Sequence, residues 1–341
     1  MVEYIAQTDI KTRTGCGLWE WKKMRKEKSK RKKSGFRRLI LFLLVLLAVL
    51  LGGWYYLVGR LYGEINYQEA AGFKDKPWKG GGAVNILLIG NDSRGNDENG
   101  RSDAMILLSV NKKAKTVYMT SILRDIYVEI PGHDGNRLNA AYSFGGPELL
   151  METIGQNFDV EVNRYVMVNF EAFAGLVDAV GGVDLEVTGQ EIEYINAYLV
   201  EYNMLTERPE GTDYMDTAAS GLVHLNGPQA LAYSRNRYMG TDFGRTQRQR
   251  KVLAGIVKNL PSALLSGPGE VLEGILPNLT TNLTKRECME LSLLSGKFLS
   301  YEWEQGSIPL EGSYQNATIR EMEVLQIDFD KNKEYLHERA Y

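Results

Sequence analysis

The chain has 341 residues, with 40 Lys and Arg against 43 Asp and Glu, so its formal net charge is −3. Apolar residues make up 44% and aromatic residues 10%, the composition of a globular protein with a hydrophobic core. The two cysteines, Cys16 and Cys288, lie on opposite sides of the long apolar segment described next. The composition therefore excludes a small module held together by disulfides.

The charge is distributed unevenly along the chain. Residues 1–38 contain 13 Lys and Arg and four Asp and Glu, a net charge of +9, which leaves −12 for the remainder. Residues 39–59 follow with 21 residues and no charge, about the number that a helix needs to cross a bilayer. A cleaved signal peptide is the competing interpretation, but its apolar core is shorter and ends in a small-residue cleavage site. The sequence therefore predicts a retained transmembrane helix.

The basic segment 1–38 predicts the orientation of this helix. Lys and Arg before a first span remain in the cytoplasm, so the C-terminal part is expected to be extracytoplasmic. The protein would then be a single-pass protein of the cell membrane with a cytoplasmic N-terminus. Basic residues also attract anionic lipid headgroups. The segment has no interleaved aromatic residues and no fold of its own, so no nucleic-acid partner is expected.

The rest of the chain divides into a linker and a large domain. Residues 60–83 end in a Pro and three Gly and are predicted as a stalk, and residues 84–341 as one domain. Apolar runs predict strands, and 3.6-residue periodicity predicts helices. The alternation of the two predicts an α/β or α/β/α layered domain. Strands are expected at 84–89, 104–110, 116–122, 126–130, 164–170 and 181–187, helices at 147–158, 170–180, 225–235 and 246–260, and two helices and a strand without an assigned role in 261–341.

Several common chemistries lack their motifs in this sequence. The three histidines, His133, His224 and His337, do not have metal-ligand spacing. No H-E-x-x-H, G-x-S-x-G or P-loop motif is present. A zinc hydrolase, a nucleophile-elbow esterase and a P-loop enzyme are therefore disfavoured.

Asp and Arg side chains stand instead where the predicted strands end, the usual place for a site in an α/β sheet. Taken singly, each block also has an ordinary explanation as turn residues, a structural ion pair or a solvated helix end. The blocks contain Asp92 with Arg94, Arg101 with Asp103, Arg124 with Asp125 and, later, Arg235, Arg237, Asp242, Arg245 and Gln249.

Together the blocks indicate phosphate chemistry. Several guanidinium groups in one place match the oxygens of a phosphate in bidentate pairs. Carboxylates beside them would repel that phosphate unless a divalent cation lay between, and Asp92 and Asp103 are hard oxygen ligands of the kind that Mg²⁺ shares with phosphates. The pattern predicts Mg²⁺-assisted phosphoryl transfer, with Mn²⁺ as an alternative ion.

The blocks resemble those of the LytR-CpsA-Psr family in order and spacing. The resemblance covers roughly residues 84–260, and the N-terminal anchor is also typical of the family. One departure is Leu123, where the family usually has Pro. The matching segments are NILLIGNDSR, RSDAMILLSVN, SILRD with YVEIPG, GGVDLEV, and LNGPQALAYSRNR followed by an Asp and GRTQRQR.

The resemblance implies an α/β/α layered domain with a central mixed sheet, preceded by one N-terminal transmembrane helix. It implies a phosphotransferase that moves a glycopolymer from an undecaprenyl-pyrophosphate carrier to a peptidoglycan hydroxyl with Mg²⁺, and an apolar pocket for the polyprenyl tail. Asp242 would activate the acceptor hydroxyl or orient Arg245. Asp92 and Asp103 are expected to bind the metal, and Arg101, Arg124, Arg235, Arg237, Arg245 and Gln249 the pyrophosphate. The resemblance further implies that Arg124, Arg235, Arg237 and Asp242 are the catalytic residues.

Two alternative functions remain open at this stage. The first is hydrolysis of the polyprenyl pyrophosphate with water as acceptor, because the same arginines would serve it. The second is a membrane-anchored lipid-binding sensor or transcription attenuator that signals through the basic N-terminal segment. The transferred polymer could be teichoic acid, capsule or another wall glycan.

Overall fold

The computed structural model describes residues 42–43, 45–49, 51–78, 83–91, 102–236, 240–267, 276–298 and 300–341. The basic segment 1–38 lies outside these residues, as do residues 39–41 of the predicted span. The chain divides into two units, one up to Val58 and one from Gly59 onward. The first contains most of an apolar helix whose stretch Val45–Tyr62 has a mean hydropathy of 1.5. That helix is long and apolar enough to cross a membrane, as a single transmembrane helix requires.

The second unit contains thirteen strands and seven α-helices among its described residues. The strands are β1 (Asn66–Tyr67), β2 (Ala83–Asn91), β3 (Ser102–Asn111), β4 (Thr116–Ile122), β5 (Tyr127–Val128), β6 (Asn136–Arg137), β7 (Arg164–Asn169), β8 (Val183–Val187), β9 (Gly221–Leu225), β10 (Leu279–Thr281), β11 (Glu302–Ile308), β12 (Tyr314–Ile319) and β13 (Met322–Ile327). The helices are α1 (Leu138–Phe158), α2 (Phe170–Ala179), α3 (Gly189–Leu205), α4 (Gly227–Arg235), α5 (Asp242–Ser266), α6 (Lys285–Phe298) and α7 (Phe329–Ala340).

Seven strands form a central mixed sheet in the order β1-β10-β7-β2-β3-β4-β11. The pairs β2–β3 and β3–β4 are antiparallel, and β7 runs parallel to β2. The ends of β2, β4 and β7 and the start of β3 therefore lie at one edge of the sheet. This edge is where the sequence places its Asp and Arg blocks.

Helices cover both faces of the sheet. On one face Leu87 and Leu107 pack against α1 and α7, where Ile154 and Leu336 are fully buried. On the other face Val84, Ile86 and Val110 pack against α6. Because neighbouring residues of a strand point to opposite faces, near-continuous apolar strands need this double cover. The expected α/β/α domain with a central mixed sheet is confirmed.

The segment 60–83, predicted as a linker, packs on the domain over its described residues. Asn66 and Tyr67 form β1 beside β10, and Phe73 is buried in the main core. The guanidinium of Arg164 donates to the carbonyl oxygens of Phe73 and Lys76 and also pairs with the Glu287 carboxylate at 2.7 Å. Both charged side chains are about nine-tenths buried or more, so this pair joins the segment to β7 and α6.

Local signals predict several helix starts correctly. Helix α1 is interrupted at Gly145 and Gly146, and Gly146 has a φ of 64° that favours glycine. Its second part begins at Pro147, as the sequence predicts. Helix α4 begins after Asn226, whose side chain accepts a hydrogen bond from the Gln229 N–H while the Gln229 side chain accepts from the Asn226 N–H.

Replacing Asn226 with Ala is expected to lower the free energy of unfolding by about 1 kcal/mol, because the Gln229 N–H at the start of α4 loses its side-chain acceptor. Urea unfolding followed by circular dichroism measures the change. Asn226→Asp, which keeps a side-chain acceptor, serves as the control and should stay within about 0.5 kcal/mol of the wild type. Equal loss in both variants would contradict the capping role.

The C-terminal part contains more strands than the sequence predicts. The two helices expected in 261–341 are α6 and α7, and the strand expected there, from the segment EVLQIDF, is β13. In addition, β11 pairs in parallel with β4 as an outermost strand of the main sheet, and β12 forms a hairpin with β13. Helix α3, the part of α1 before Gly145, and strands β1, β6, β9 and β10 have no counterpart among the sequence predictions.

Candidate functional site

Two of the predicted blocks meet at the sheet edge. Arg124 follows β4, and its Nη1 donates to Asp103 Oδ1, at the start of β3, over 2.7 Å. Its Nε donates to Asp125 Oδ2 over 3.2 Å. Burial lowers the pKa of Arg124, but the carboxylates of Asp125 and Asp103 outweigh burial and raise this pKa above its ordinary value. The guanidinium therefore stays charged between two carboxylates.

Arg137 belongs to the same network, although it is not among the site residues that the sequence predicts. Its Nη1 donates to Asp125 Oδ1 over 3.1 Å, so Asp125 bridges Arg124 and Arg137. The Nε of Arg137 is buried without a hydrogen-bond partner in the described part of the chain. Arg137 follows a turn and does not flank an apolar strand of the sequence analysis, so it carries no local signal of this role.

Helix α5 places Arg245 behind Asp103. Arg245 is 3% exposed, and its Nη2 donates to the main-chain oxygen of Asp103 over 2.6 Å. Asp242, in the first turn of α5, lies 4.0 Å from Arg245 Nη1, and its side chain is 45% exposed. The Asp242 carboxylate therefore faces the open space beside Arg124. Its ion pair with Arg245 is weak, because 4.0 Å is the longest distance at which such a pair forms.

Arg235 lies at the end of α4, where aromatic rings orient it. Its guanidinium carbon is 3.9 Å from the centre of the Phe170 ring, and Nη1 donates to the Tyr198 hydroxyl over 3.3 Å. Stacking on an aromatic face holds a guanidinium without neutralising it. Gln249 of α5 is close by, and its Oε1 is buried without a hydrogen-bond partner among the described residues.

These side chains line three neighbouring cavities. A cavity of about 470 Å³ is lined by Arg124, Asp242 and Arg245. A small cavity of about 30 Å³ is lined by Asp103, Arg235, Arg245 and Gln249. The small cavity thus shares Arg245 with the first cavity, and it shares Arg235 and Gln249 with a third.

The third cavity is apolar and has a volume of about 400 Å³. It lies between the sheet and helices α2, α4 and α5. The sequence does not mark the lining of the expected polyprenyl pocket, because every apolar run could supply it. The apolar lining includes Leu88, Ile106, Val166, Val168, Phe173, Leu176, Leu231, Leu253, Ile256 and Leu260.

The structure thus brings six predicted site residues together: Asp103, Arg124, Arg235, Asp242, Arg245 and Gln249. Asp92, Arg101 and Arg237 lie outside the described residues. Among the described residues, no group of three or more His, Cys, Asp or Glu side chains could hold a metal ion. Of the two predicted metal ligands, Asp103 is the one among the described residues, and its carboxylate accepts a hydrogen bond from Arg124. This donor set is compatible with Mg²⁺, which is commonly held by one or two carboxylates together with phosphate oxygens.

The model of the LytR_cpsA_psr family matches residues 61–338, which is most of the chain. The chain belongs to the LytR-CpsA-Psr family. A curated relative, the polyisoprenyl-teichoic acid–peptidoglycan teichoic acid transferase TagU of Bacillus cereus strain AH820, is 39% identical over 212 residues. The match spans 61% of this chain and 63% of that relative, somewhat less than two thirds of its length.

Solved structures of the family have the same fold. The crystal structure of Bacillus subtilis TagT is 27% identical and has a TM-score of 0.59, covering 80% of this chain and 96% of TagT. A second structure is described as TagT with bound octaprenyl pyrophosphate lipid. It is 27% identical with a TM-score of 0.58, covering 78% of this chain and 94% of that one.

Leu123 departs from the usual Pro of the family with a local consequence. Its N–H donates to the carbonyl oxygen of Ile308 over 3.0 Å, a bond that Pro could not make. Leu123 is 2% exposed and lines the cavity beside Arg124. The departure therefore adds a main-chain hydrogen bond between the end of β4 and β11 and removes no charged group.

Proposed function

We propose that this chain transfers a glycopolymer from an undecaprenyl-pyrophosphate carrier to a peptidoglycan hydroxyl. The observation that carries the proposal is the joining of the apolar cavity to the arginine-lined cavities through Arg235 and Gln249. A lipid pyrophosphate needs such a pair of environments, one for its hydrocarbon and one for its charge. The names of the TagU and TagT relatives support the same substrate class.

The arrangement suits an in-line displacement at phosphorus. The acceptor oxygen forms a bond to the phosphorus nearest the sugar, and the bond from this phosphorus to the bridging oxygen breaks. Polyprenyl monophosphate leaves with that bond's electron pair. Arg124, Arg235 and Arg245 stabilise the negative charge on the phosphate oxygens. Asp242 accepts the proton of the acceptor hydroxyl, because its exposed carboxylate borders the same cavity as Arg124.

The proposal extends to three predicted residues that the structure does not describe. Arg101 and Arg237 would add to the pyrophosphate clamp, and Asp92 would join Asp103 as a metal ligand. A bound Mg²⁺, or Mn²⁺ in its place, would neutralise phosphate charge and polarise the phosphorus–oxygen bonds. With 13 Lys and Arg before the apolar helix, the domain would lie on the extracytoplasmic face of the cell membrane.

Transfer is tested with the full-length chain in liposomes that contain an undecaprenyl-pyrophosphate-linked glycopolymer. We expect attachment of the polymer to added peptidoglycan and equal release of undecaprenyl phosphate, both lost with EDTA and restored by Mg²⁺. Product analysis by mass spectrometry separates the alternatives. Lipid phosphate released without attachment would establish a hydrolase instead.

A sensor is distinguished by a second protein in which residues 1–38 are deleted and another membrane anchor is supplied. A transferase keeps its activity in this protein, because the proposed site lies wholly in the C-terminal domain. Loss of the cellular function with transfer in liposomes unchanged would favour a sensor that signals through the basic segment.

A further inference from the structure

The cavity beside Arg124 has a wall that the proposed chemistry does not use. One side carries Arg124, Asp242 and Arg245. The other side is formed by the β12–β13 hairpin, through Tyr314, Asn316 and Leu325. These residues lie in the C-terminal part to which the sequence assigns no role.

The hairpin is attached to the turn that carries Arg124. The Leu325 N–H donates to the carbonyl oxygen of Asp125 over 2.8 Å, and Leu325 also forms a parallel bridge with Ile126. Helix α7 holds the chain just before β12. Its buried Asn332 accepts a hydrogen bond from the Leu310 N–H and donates one to the Ser313 hydroxyl, each over 2.9 Å. The hairpin is therefore held at a fixed position relative to the arginine cluster.

One face of the hairpin presents an aromatic ring and an amide to the cavity. Tyr314 and Asn316 are two residues apart in β12, so their side chains share a face. Tyr314 is 37% exposed, and its ring centre lies 5.2 Å from that of Phe243, which packs against the core. Phe243, which lines the same cavity, thus contacts the Tyr314 ring while part of that ring stays open to solvent.

The arrangement of the three cavities indicates which substrate enters the cavity at the hairpin. The apolar cavity and the cavity at the hairpin share no lining residue in the described part of the chain, and the small cavity borders both. If the lipid tail occupies the apolar cavity, the leaving phosphate departs towards it. In-line displacement brings the attacking oxygen from the opposite side of the phosphorus. The cavity at the hairpin adjoins the small cavity through Arg245 and shares no described residue with the apolar cavity, so we assign the attacking oxygen to it.

We infer that this face of the hairpin is the acceptor subsite and binds a sugar ring of the peptidoglycan glycan strand. The inference rests on the proposed transfer reaction. An exposed aromatic ring packs against the C–H face of a pyranose, and the Asn316 amide can both donate to and accept from hydroxyl and acetamido groups. The hairpin residues at the cavity carry no formal charge, so they suit a sugar better than a pyrophosphate.

The test measures transfer kinetics of full-length Tyr314→Ala with soluble, uncross-linked glycan-strand oligomers as acceptor. The KM for the oligomers is expected to rise about tenfold with kcat nearly unchanged, the effect of losing one aromatic contact. The dissociation constant for polyprenyl pyrophosphate should not change. Tyr314→Phe keeps the ring and should keep the wild-type KM.

Gln315→Ala is the matched control. Gln315 lies between Tyr314 and Asn316 on the opposite face of β12 and bonds to Gln326 over 2.9 Å. Its replacement should leave both substrates unaffected. If Tyr314→Ala lowers the unfolding temperature, Asn316→Ala provides the same test, because Asn316 is exposed and is not part of the core.

The outcomes separate this inference from the proposed function. A wild-type protein that attaches no polymer to any acceptor would overturn both. Normal wild-type transfer with an unchanged acceptor KM in the folded Tyr314→Ala and Asn316→Ala variants would overturn only the acceptor subsite. Weaker binding of polyprenyl pyrophosphate in these variants would assign the hairpin to the donor and would also overturn the inference.

Discussion

Arg124→Ala is expected to lower kcat for glycopolymer transfer by about 10³-fold, the scale of losing one preorganised cationic group at a reacting phosphate. Arg124 lies between Asp103 and Asp125 at hydrogen-bond distance and lines the cavity with Asp242. The two carboxylates orient the Arg124 guanidinium before the substrate binds, so the guanidinium does not have to reorient during the reaction. The measurement is single-turnover release of undecaprenyl phosphate at saturating acceptor.

The fold is expected to survive this change. Asp125 keeps its ion pair with Arg137, and the main-chain oxygen of Asp103 keeps its bond from Arg245. Arg124→Lys retains the charge but loses bidentate geometry, and should recover only part of the rate. Arg286, 89% exposed on α6, supplies the control Arg286→Ala with an unchanged rate. A folded Arg124→Ala protein that transfers at the wild-type rate would remove Arg124 from the proposed mechanism.

Filling the apolar cavity is expected to weaken binding of the lipid carrier by about 10³-fold. Val168 lines this cavity from β7 and is only partly buried, so Val168→Trp places an indole ring in the space without removing packed core atoms. Each methylene of the tail that is no longer buried lowers the binding free energy by about 0.8 kcal/mol, so five or six such groups account for the change. Binding of polyprenyl pyrophosphates of increasing chain length gives the measurement.

Chain length distinguishes a blocked cavity from a damaged clamp. The wild-type protein should bind longer chains more tightly, whereas Val168→Trp should show little gain beyond a short prenyl pyrophosphate. The affinity for the short compound should stay the same in both proteins, since Arg235, Arg245 and Gln249 are unchanged. Val168→Leu, a smaller increase in volume, is the control. An unaltered chain-length dependence in Val168→Trp would place the lipid elsewhere.

The candidate site was partly predictable because several of its residues lie beside apolar runs or at helical spacing in the sequence. Asp103 and Arg124 flank apolar strands, and antiparallel neighbours β3 and β4 necessarily bring such flanks to one edge. Arg245 and Gln249 are one helical turn apart, so helical periodicity places them on one face. Arg137 was missed, because its partner Asp125 is reached only when the turns around β5 and β6 fold against each other.

The apolar cavity could not be predicted residue by residue for a different reason. Its walls come from alternate positions of strands whose other positions pack in the core, such as Leu88 beside Leu87 and Ile106 beside Leu107. A near-continuous apolar run contains no local mark that separates the two sets. Only the packing of α2, α4 and α5 against that face leaves the space open.

The sequence by itself determined the apolar helix, its basic flank, the α/β class and the starts of helices such as α4. These features depend on residues close together in the chain: a charge-free run, a capping pair or a period of 3.6. The tertiary structure alone decided that the β12–β13 hairpin borders Arg124 and that Phe170 and Tyr198 hold Arg235. Such contacts join residues far apart in sequence, and their geometry follows from how the sheet and its helices pack together.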